Sequence, residues 1–437
     1  MRNRCSVALG FVALIFIGAI LLAAPFSRQA GTWGAPLAAA FTACSAVCVT
    51  GLSIVDIAAE FTRLGQVILL FLVEVGCLGL MTFGTFLMIA VGRRLSLVRE
   101  FSLMNAYGVA EVRGLRGLIC WVIGSMLMIE GIGAALLFIR TGDLYLSVYY
   151  SVMSFCNAGF SILPQSLGNF AADPFIIFTL ALEVILGGIG FLVIYNLCTY
   201  KFLRRASGAQ ARLTLHTRVV LRTSLILILF AFVVFLCVEW NHSLKSFSGF
   251  EKVPIAFFQA VTPRTCGFTL VPTESLQRVT RLVYSCLMFI GGGPGSAAAG
   301  IKVTTLAVLI ATLRAMCRGQ TETIIRKRVV PTDIVRESFV IFMTLITLIL
   351  LILAALLLTE QNNSLSLEEL FFEAISAITT TGLSIADTTS RLSSAGKVVI
   401  MLAMFMGRLG ALTVVMLIGD REQTTHVRYP TEELVVG

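Results

Sequence analysis

Charge is what this chain lacks most. Of its 437 residues only 13% are Asp, Glu, Lys or Arg, while 57% are hydrophobic, and the mean hydropathy is +0.92. Soluble domains carry about 25% charge and no long uncharged runs, so this balance excludes an ordinary soluble chain. Histidine is scarce too. His216, His242 and His426 are the only three, and no two have the spacing of metal ligands. With no nucleophile motif beside them, an enzyme is not expected. The 11 cysteines lie mostly inside apolar runs, as Cys120, Cys198, Cys237 and Cys286 do, with no CxxC pair or extracellular framework. They read as small apolar fillers. No apolar run carries arginine at every third position, which excludes a voltage sensor.

What is abundant is long apolar sequence. A bilayer core needs roughly 20 apolar residues per helical span. Runs of that order occur at 7–24, 64–91, 117–139, 174–200, 219–240, 282–310, 339–358 and 397–418, which predicts eight spans. The net charge of +9 is concentrated between alternate runs: Arg93, Arg94, Arg99, Arg113 and Arg116, then Lys201, Arg204, Arg205, Arg212, Arg218 and Arg222, then Arg314, Arg318, Arg326, Lys327, Arg328 and Arg336. The positive-inside rule puts these linkers, and the Arg2/Arg4 start, in the cytoplasm. The expectation is a multi-pass protein of the inner (plasma) membrane, embedded in the lipid bilayer with its N-terminus cytoplasmic. The basic charge sits where topology demands it, so no nucleic-acid partner is expected. The run 7–24 could pass for a signal peptide, but it has counterparts in a repeat.

Four short segments share one plan: 46–53 (AVCVTGLS), 154–161 (SFCNAGFS), 262–269 (TPRTCGFT) and 377–384 (AITTTGLS). Each has a central glycine, then Leu or Phe, then Ser or Thr. Gly51, Gly159, Gly267 and Gly382 are separated by 108, 108 and 115 residues. A GxxG pair follows each at matched distance: Gly76/Gly79, Gly187/Gly190, Gly292/Gly295 and Gly407/Gly410. Ahead of each glycine lies a stretch too short to cross a membrane, at 35–46, 144–155, 253–261 and 367–378. Irregular backbone is tolerated at membrane depth only where it is buried or lines a water-filled path. The expected fold class is therefore an all-α membrane protein of four span–pore-helix–filter-loop–span repeats with pseudo-fourfold symmetry around one pore, giving eight membrane spans and four half-helices. The units are 1–92, 93–203, 204–318 and 319–437, the last including the C-terminal tail.

Backbone carbonyls can replace the water around a cation without adding net charge, and glycine supplies the backbone angles this requires. The candidate ion-binding residues are Val49, Thr50 and Gly51; Asn157, Ala158 and Gly159; Thr265, Cys266 and Gly267; and Thr380, Thr381 and Gly382. None of the four loops carries the TVGYG run of stringent potassium channels. One glycine per loop implies fewer stacked sites and looser selection among potassium, rubidium and sodium.

Segments 46–52, 157–160, 262–268 and 380–383, together with the tail 428–437 (RYPTEELVVG), resemble the Ktr/Trk/HKT superfamily of cation transporters, and within it the KtrB-type membrane subunit. The resemblance covers essentially the whole chain. The sister TrkH group carries two further helices before its first repeat, whereas here the first run begins near residue 7. The resemblance implies uptake of K+, sodium-dependent with Na+ as a second cation, by a homodimer with one pore per subunit. It also implies a cytosolic RCK-type ring whose nucleotide (ATP or ADP) is bound by that partner and not by this chain.

The stretch 291–302 (GGGPGSAAAGIK) holds Pro294 and five glycines, which a regular helix does not accommodate. Gly295 and Gly300 have phosphate-loop spacing, but Ile301 intervenes before Lys302 and no strand precedes them. By resemblance, Gly291, Gly292, Gly293, Pro294, Gly295, Ser296, Gly300 and Lys302 form an intramembrane gate, the loop 291–300, and Arg408 contacts it. Arg264, three residues before Gly267, supports the filter loop. Glu74, Glu130, Glu183 and Glu373 are intramembrane acids, at least one of which is expected to pair with such an arginine. Two alternatives remain open: a TrkH-like or less selective potassium/sodium permease, and, in a different class, a secondary transporter with a broken-helix substrate site. The latter is expected to show inverted repeats, whereas these four share one orientation.

Overall fold

The computed structural model describes residues 2–79, 115–163, 166–207 and 213–410. Arg93, Arg94, Arg99 and Arg113, the boundary at 92/93 and the tail 428–437 lie outside the described residues. The fold is almost entirely helical. Its elements are α1 (Arg2–Ala23), α2 (Pro36–Val47), α3 (Arg63–Leu78), α4 (Leu115–Thr141), α5 (Leu144–Phe155), α6 (Pro174–Ile189), α7 (Phe191–Ser207), α8 (Leu215–Glu239), α9 (Gly249–Val261), α10 (Arg278–Phe289), α11 (Val303–Cys317), α12 (Thr332–Thr359), α13 (Leu367–Ile378) and α14 (Ser394–Leu409). A two-stranded hairpin, β1 (Ile324–Ile325) and β2 (Arg328–Val329), joins α11 to α12.

The four short helices α2, α5, α9 and α13 run 12, 12, 13 and 12 residues, too few to cross a bilayer. Their starts are written locally. Pro36 opens α2, where its missing N–H costs nothing. The Asp143 carboxylate accepts from Leu146 N at 3.1 Å. Ser248/Glu251 and Ser366/Glu369 form reciprocal capping boxes. The helices that follow are capped in the same manner, α3 by Thr62, α6 by Asp173 and α14 by Ser393.

Among the described residues, three helices are each long and apolar enough to cross a membrane, within α4, α8 and α12. The run expected as one span over 174–200 is instead a bent pair: α6 and α7 meet at 97°. Gly190 makes the corner, with φ of 100°, a backbone state glycine adopts without penalty. The second glycine of the GxxG pair has this role twice more, Gly79 (φ 75°) ending α3 and Gly410 (φ 83°) ending α14. These helices therefore stop at the glycine pair, where unbroken spans to 91 and 418 were expected; residues 80–91 and 411–418 lie outside the described set. In the third unit, α10 ends at Phe289 and the chain is non-helical until Val303.

Packing runs around a circle. α3 packs on α5, α6 on α9, α10 on α13, and α14 on α2. Each inner helix thus supports the short helix of the next unit, and the last returns to the first. One continuous apolar core joins all four short helices, from Phe41 and Phe155 through Phe258 to Phe372.

Candidate functional site

Each short helix delivers its C-terminus to a glycine loop. Val47, Phe155 and Ile378 end theirs four residues before Gly51, Gly159 and Gly382. In these three loops the residue before the glycine donates its N–H to the carbonyl five residues back: Thr50 to Ser45 (2.8 Å), Ala158 to Met153 (2.9 Å) and Thr381 to Ser376 (2.8 Å). The third loop closes one residue tighter, Cys266 to Thr262 at 3.1 Å. Two positions before each glycine the backbone is left-handed, at Val49 (φ 55°), Asn157 (57°), Thr265 (67°) and Thr380 (47°). Such a state costs roughly 1–3 kcal/mol for a residue with a side chain and persists only where its surroundings impose it.

The loops meet in a closed ring. A Cβ on Gly51 would strike the Ala158 carbonyl oxygen, and one on Gly382 the Thr50 carbonyl oxygen. On Gly159 a Cβ would lie 3.0 Å from the Cys266 oxygen, and on Gly267, 2.8 Å from the Thr381 oxygen. Each glycine therefore faces the carbonyl that precedes the glycine of an adjoining loop. All four positions carry positive φ as well, 90°, 68°, 81° and 85° in chain order, so geometry and space demand glycine together. The Asn157 amide, in the orientation that satisfies both its ends, donates to Ser154 O (2.8 Å) and Val184 O (3.3 Å) and so braces its loop. The hydroxyls of Thr50, Thr265 and Thr380 are buried near the ring without a protein partner.

Beneath the loops, the first glycine of three GxxG pairs lets helix meet helix. A Cβ on Gly76, Gly187 or Gly407 would collide with the carbonyl of Val47, Phe155 or Ile378, the last residue of each short helix. The third unit departs because a large side chain, Arg264, stands where Cys48, Cys156 and Thr379 stand in the others. Arg264 is buried, and its Nη2 donates to Ser224 Oγ (3.1 Å) and Gly291 O (3.3 Å). It ties the glycine loop to the start of the broken segment.

That segment, Gly291 to Gly300, folds back on itself and docks on other units. Gly291 N donates to Ile301 O (3.0 Å) and Val303 N to Gly292 O (3.1 Å), closing its base. Gly293 N donates to Gly188 O (2.8 Å), and Phe191 N to Gly295 O (3.0 Å), at the corner between α6 and α7. Within the loop, Ser296 Oγ donates to Gly293 O (2.7 Å) and Lys302 Nζ to Ala298 O (2.5 Å). Arg408 of α14 donates from Nη1 to Ala297 O (2.6 Å) and from Nη2 to Gly76 O. Pro294 carries the carbonyl against which Gly190 is packed. One loop thus touches α6 directly and reaches α14 and α3 through a single guanidinium.

The intramembrane acids are where sequence reasoning missed. None pairs with an arginine among the described residues. Glu373 accepts from Ser384 Oγ (2.8 Å) and Thr389 Oγ1, Glu183 accepts from Ser151 Oγ, and Glu74, Glu130 and Cys156 bring one polar atom each within 4.8 Å of one another. Arg408 and Arg264 instead donate to backbone carbonyls, which helix and loop ends leave free, and Arg264 also to the Ser224 hydroxyl. Also missed were Glu239 and Glu360, at the ends of α8 and α12. Glu239 accepts from Gln277 N (2.9 Å) ahead of α10, and Glu360 from Ser393 N (3.1 Å) ahead of α14. Their shared place at the end of an outer helix was the available signal.

Apolar helices long enough to cross a bilayer, packed around four glycine loops that touch one another, define a class: helical membrane proteins. The family model for the TrkH cation transport proteins matches residues 6–426. This chain belongs to that family, whose members are transporters and not enzymes. It is 34% identical to the Ktr system potassium uptake protein B of Bacillus subtilis, over 99% of this chain and 96% of that one. It is 31% identical to the potassium/sodium uptake protein NtpJ of Enterococcus hirae, over 100% and 98%. The crystal structure of the potassium transporter TrkH from Vibrio parahaemolyticus superposes with a TM-score of 0.75 at 16% identity, covering 95% of this chain and 84% of that one.

Proposed function

We propose that this chain takes up potassium across the cell membrane, through a selectivity filter formed by its four glycine loops around one pseudo-fourfold axis. The observation that carries the reading is the closed ring, in which every repeat glycine is packed against the carbonyl of an adjoining loop. A ring held that way has its oxygens positioned before an ion arrives, so little reorganisation opposes exchange of water for carbonyl. The buried, unpartnered hydroxyls of Thr50, Thr265 and Thr380 add oxygens to the same region. Short helices with their C-termini toward the ring favour a cation through their dipoles. The names of two relatives similar over nearly their whole length, one for potassium and one for potassium and sodium, support these ions and a sodium-dependent uptake.

The loop from Gly291 to Gly300 is the gate in this reading, held shut by Arg408 and Lys302. The chain works as a homodimer, N-terminus in the cytoplasm, and a cytosolic RCK-type ring that binds ATP or ADP opens it. A broken-helix secondary transporter fits less well, because inverted repeats are expected there, whereas the four glycine segments carry the same motif in the same order along the chain.

The test is rubidium and potassium uptake in a bacterium stripped of its own potassium systems, with and without a co-expressed ring subunit. Uptake should appear with the chain, and rise with the subunit and with sodium. A chain present in the membrane that carries neither ion under either condition would sink the proposal.

A further inference from the structure

The hairpin between α11 and α12 breaks a turn rule without any local reward. Its register pairs Ile324 with Val329 and Ile325 with Arg328, leaving a two-residue turn at Arg326 (φ 49°) and Lys327 (φ 62°). Two left-handed residues make the mirror-image turn that fits strand twist, a place where Asn-Gly is strongly preferred. Here it holds two long cations. Arg326, Lys327 and the adjoining Arg328 are all exposed, and none has an acidic partner among the described residues.

The hairpin is nevertheless well anchored. The Thr312 and Thr323 hydroxyls pair across its base at 3.1 Å, and Thr312 Oγ1 donates to Val308 O at 2.9 Å. Val330 N donates to Thr323 O at 2.8 Å. Directly opposed residues share one side of a ribbon, so Ile324 (47% exposed) and Val329 (54%) form an outward apolar pair. Leu313 and Met316 on α11 and Ile334 on α12 are exposed apolar side chains as well. An exposed apolar pair beside a cationic tip is the pattern of an element lying at the membrane–water boundary.

We propose that the hairpin 324–329 rests on the membrane surface and binds the phosphate headgroups of anionic phospholipids through Arg326, Lys327 and Arg328. It stands on the membrane placement of the family and not on which ion is carried. An acidic cytosolic protein could meet the charged tip, but it would leave the Ile324–Val329 face in water, whereas lipid covers both.

The test uses the purified full chain in detergent, with lipid retention read by native mass spectrometry. Wild type should retain phosphatidylglycerol over phosphatidylcholine by about threefold or more, as expected for several cations at an anionic surface. The double variant Arg326→Asn/Lys327→Gly should lose most of that excess while melting no lower than wild type, because it installs the residues the turn prefers. Should it melt lower, Arg328→Gln, which leaves the turn untouched, carries the same test. Unchanged retention in a folded variant overturns the proposal. So does a thermal shift with inorganic phosphate that the variant abolishes, since the ligand is then a free anion. Normal lipid retention with uptake lost only in cells overturns it too, in favour of a cytosolic protein.

Discussion

Gly267 has no room for a side chain. Its positive φ and the Thr381 carbonyl 2.8 Å from where a Cβ would stand oppose any substitution, even a small one. Gly267→Ser should lower rubidium uptake by about tenfold or more, comparable to misplacing one group of a preorganised site, and should change the potassium-to-sodium preference. Uptake assays with each ion in turn check this, and unchanged flux and preference would remove the ring from the ion path. Arg408→Gln is a second test at this scale. It removes the donors to Ala297 O and Gly76 O, and flux should rise at least severalfold, while a fall in flux with the protein still folded would count against a closed gate. The glycines were legible because periodicity exposes them. The partners of the charges were not, since a sequence shows which residues are apolar but not where helix ends leave carbonyls free. Arg264 reaches the Gly291 carbonyl for that reason, and Glu373 takes the hydroxyls of Ser384 and Thr389, which only the fold brings beside it.

At the scale of elements, 144–155 and 367–378 were readable to the residue and α2 to within one, because the repeat glycine fixes where each ends, whereas α9 begins four residues before the expected 253, at the capping box of Ser248 and Glu251. The corner at Gly190 was hidden, because Phe191 onward is as apolar as what precedes it and only backbone geometry distinguishes a stop from a passage. Excising 293–298 from the broken segment should raise flux severalfold if it closes the path; a transport assay on the shortened chain decides. The junction of α12 with α14 gives a prediction about acid. Burial pushes the Glu360 carboxyl up, but hydrogen bonds from the Ser393 hydroxyl and N–H, and from Asn363, outweigh it and hold the group below the ordinary carboxylate range. A lowered folded value means stability present above the unfolded range, near pH 4.3, and lost as the pH falls below it. Glu360→Gln should cost about 2 kcal/mol at neutral pH and flatten the decline of melting temperature on acidification. Identical acid profiles for the two proteins would remove this junction from the pH response.

For the whole molecule, a ring in which the fourth unit meets the first follows from the expected fourfold arrangement, but the elements that make the contact do not. Nothing in a linear sequence says that α14 packs on α2, or that one loop of the third unit reaches toward all the others. The proposed homodimer is checked by the mass of the detergent-solubilised protein, expected at twice that of one chain once bound detergent is subtracted. A monomeric mass under conditions that retain uptake would discard it.

The return of α14 to α2 also fixes an order of events during synthesis. Gly382 needs the Thr50 carbonyl, Cys44 Sγ bonds Met401 O across 357 residues, and Arg408 bonds Gly76 O across 332. The first unit therefore emerges from the ribosome long before the fourth, the later of its two neighbours in the ring. Such distant pairings are slow to form. A chain halted before residue 394 would lack the contacts that α14 makes with α2 and with Gly76, and so would leave the ring without its last step.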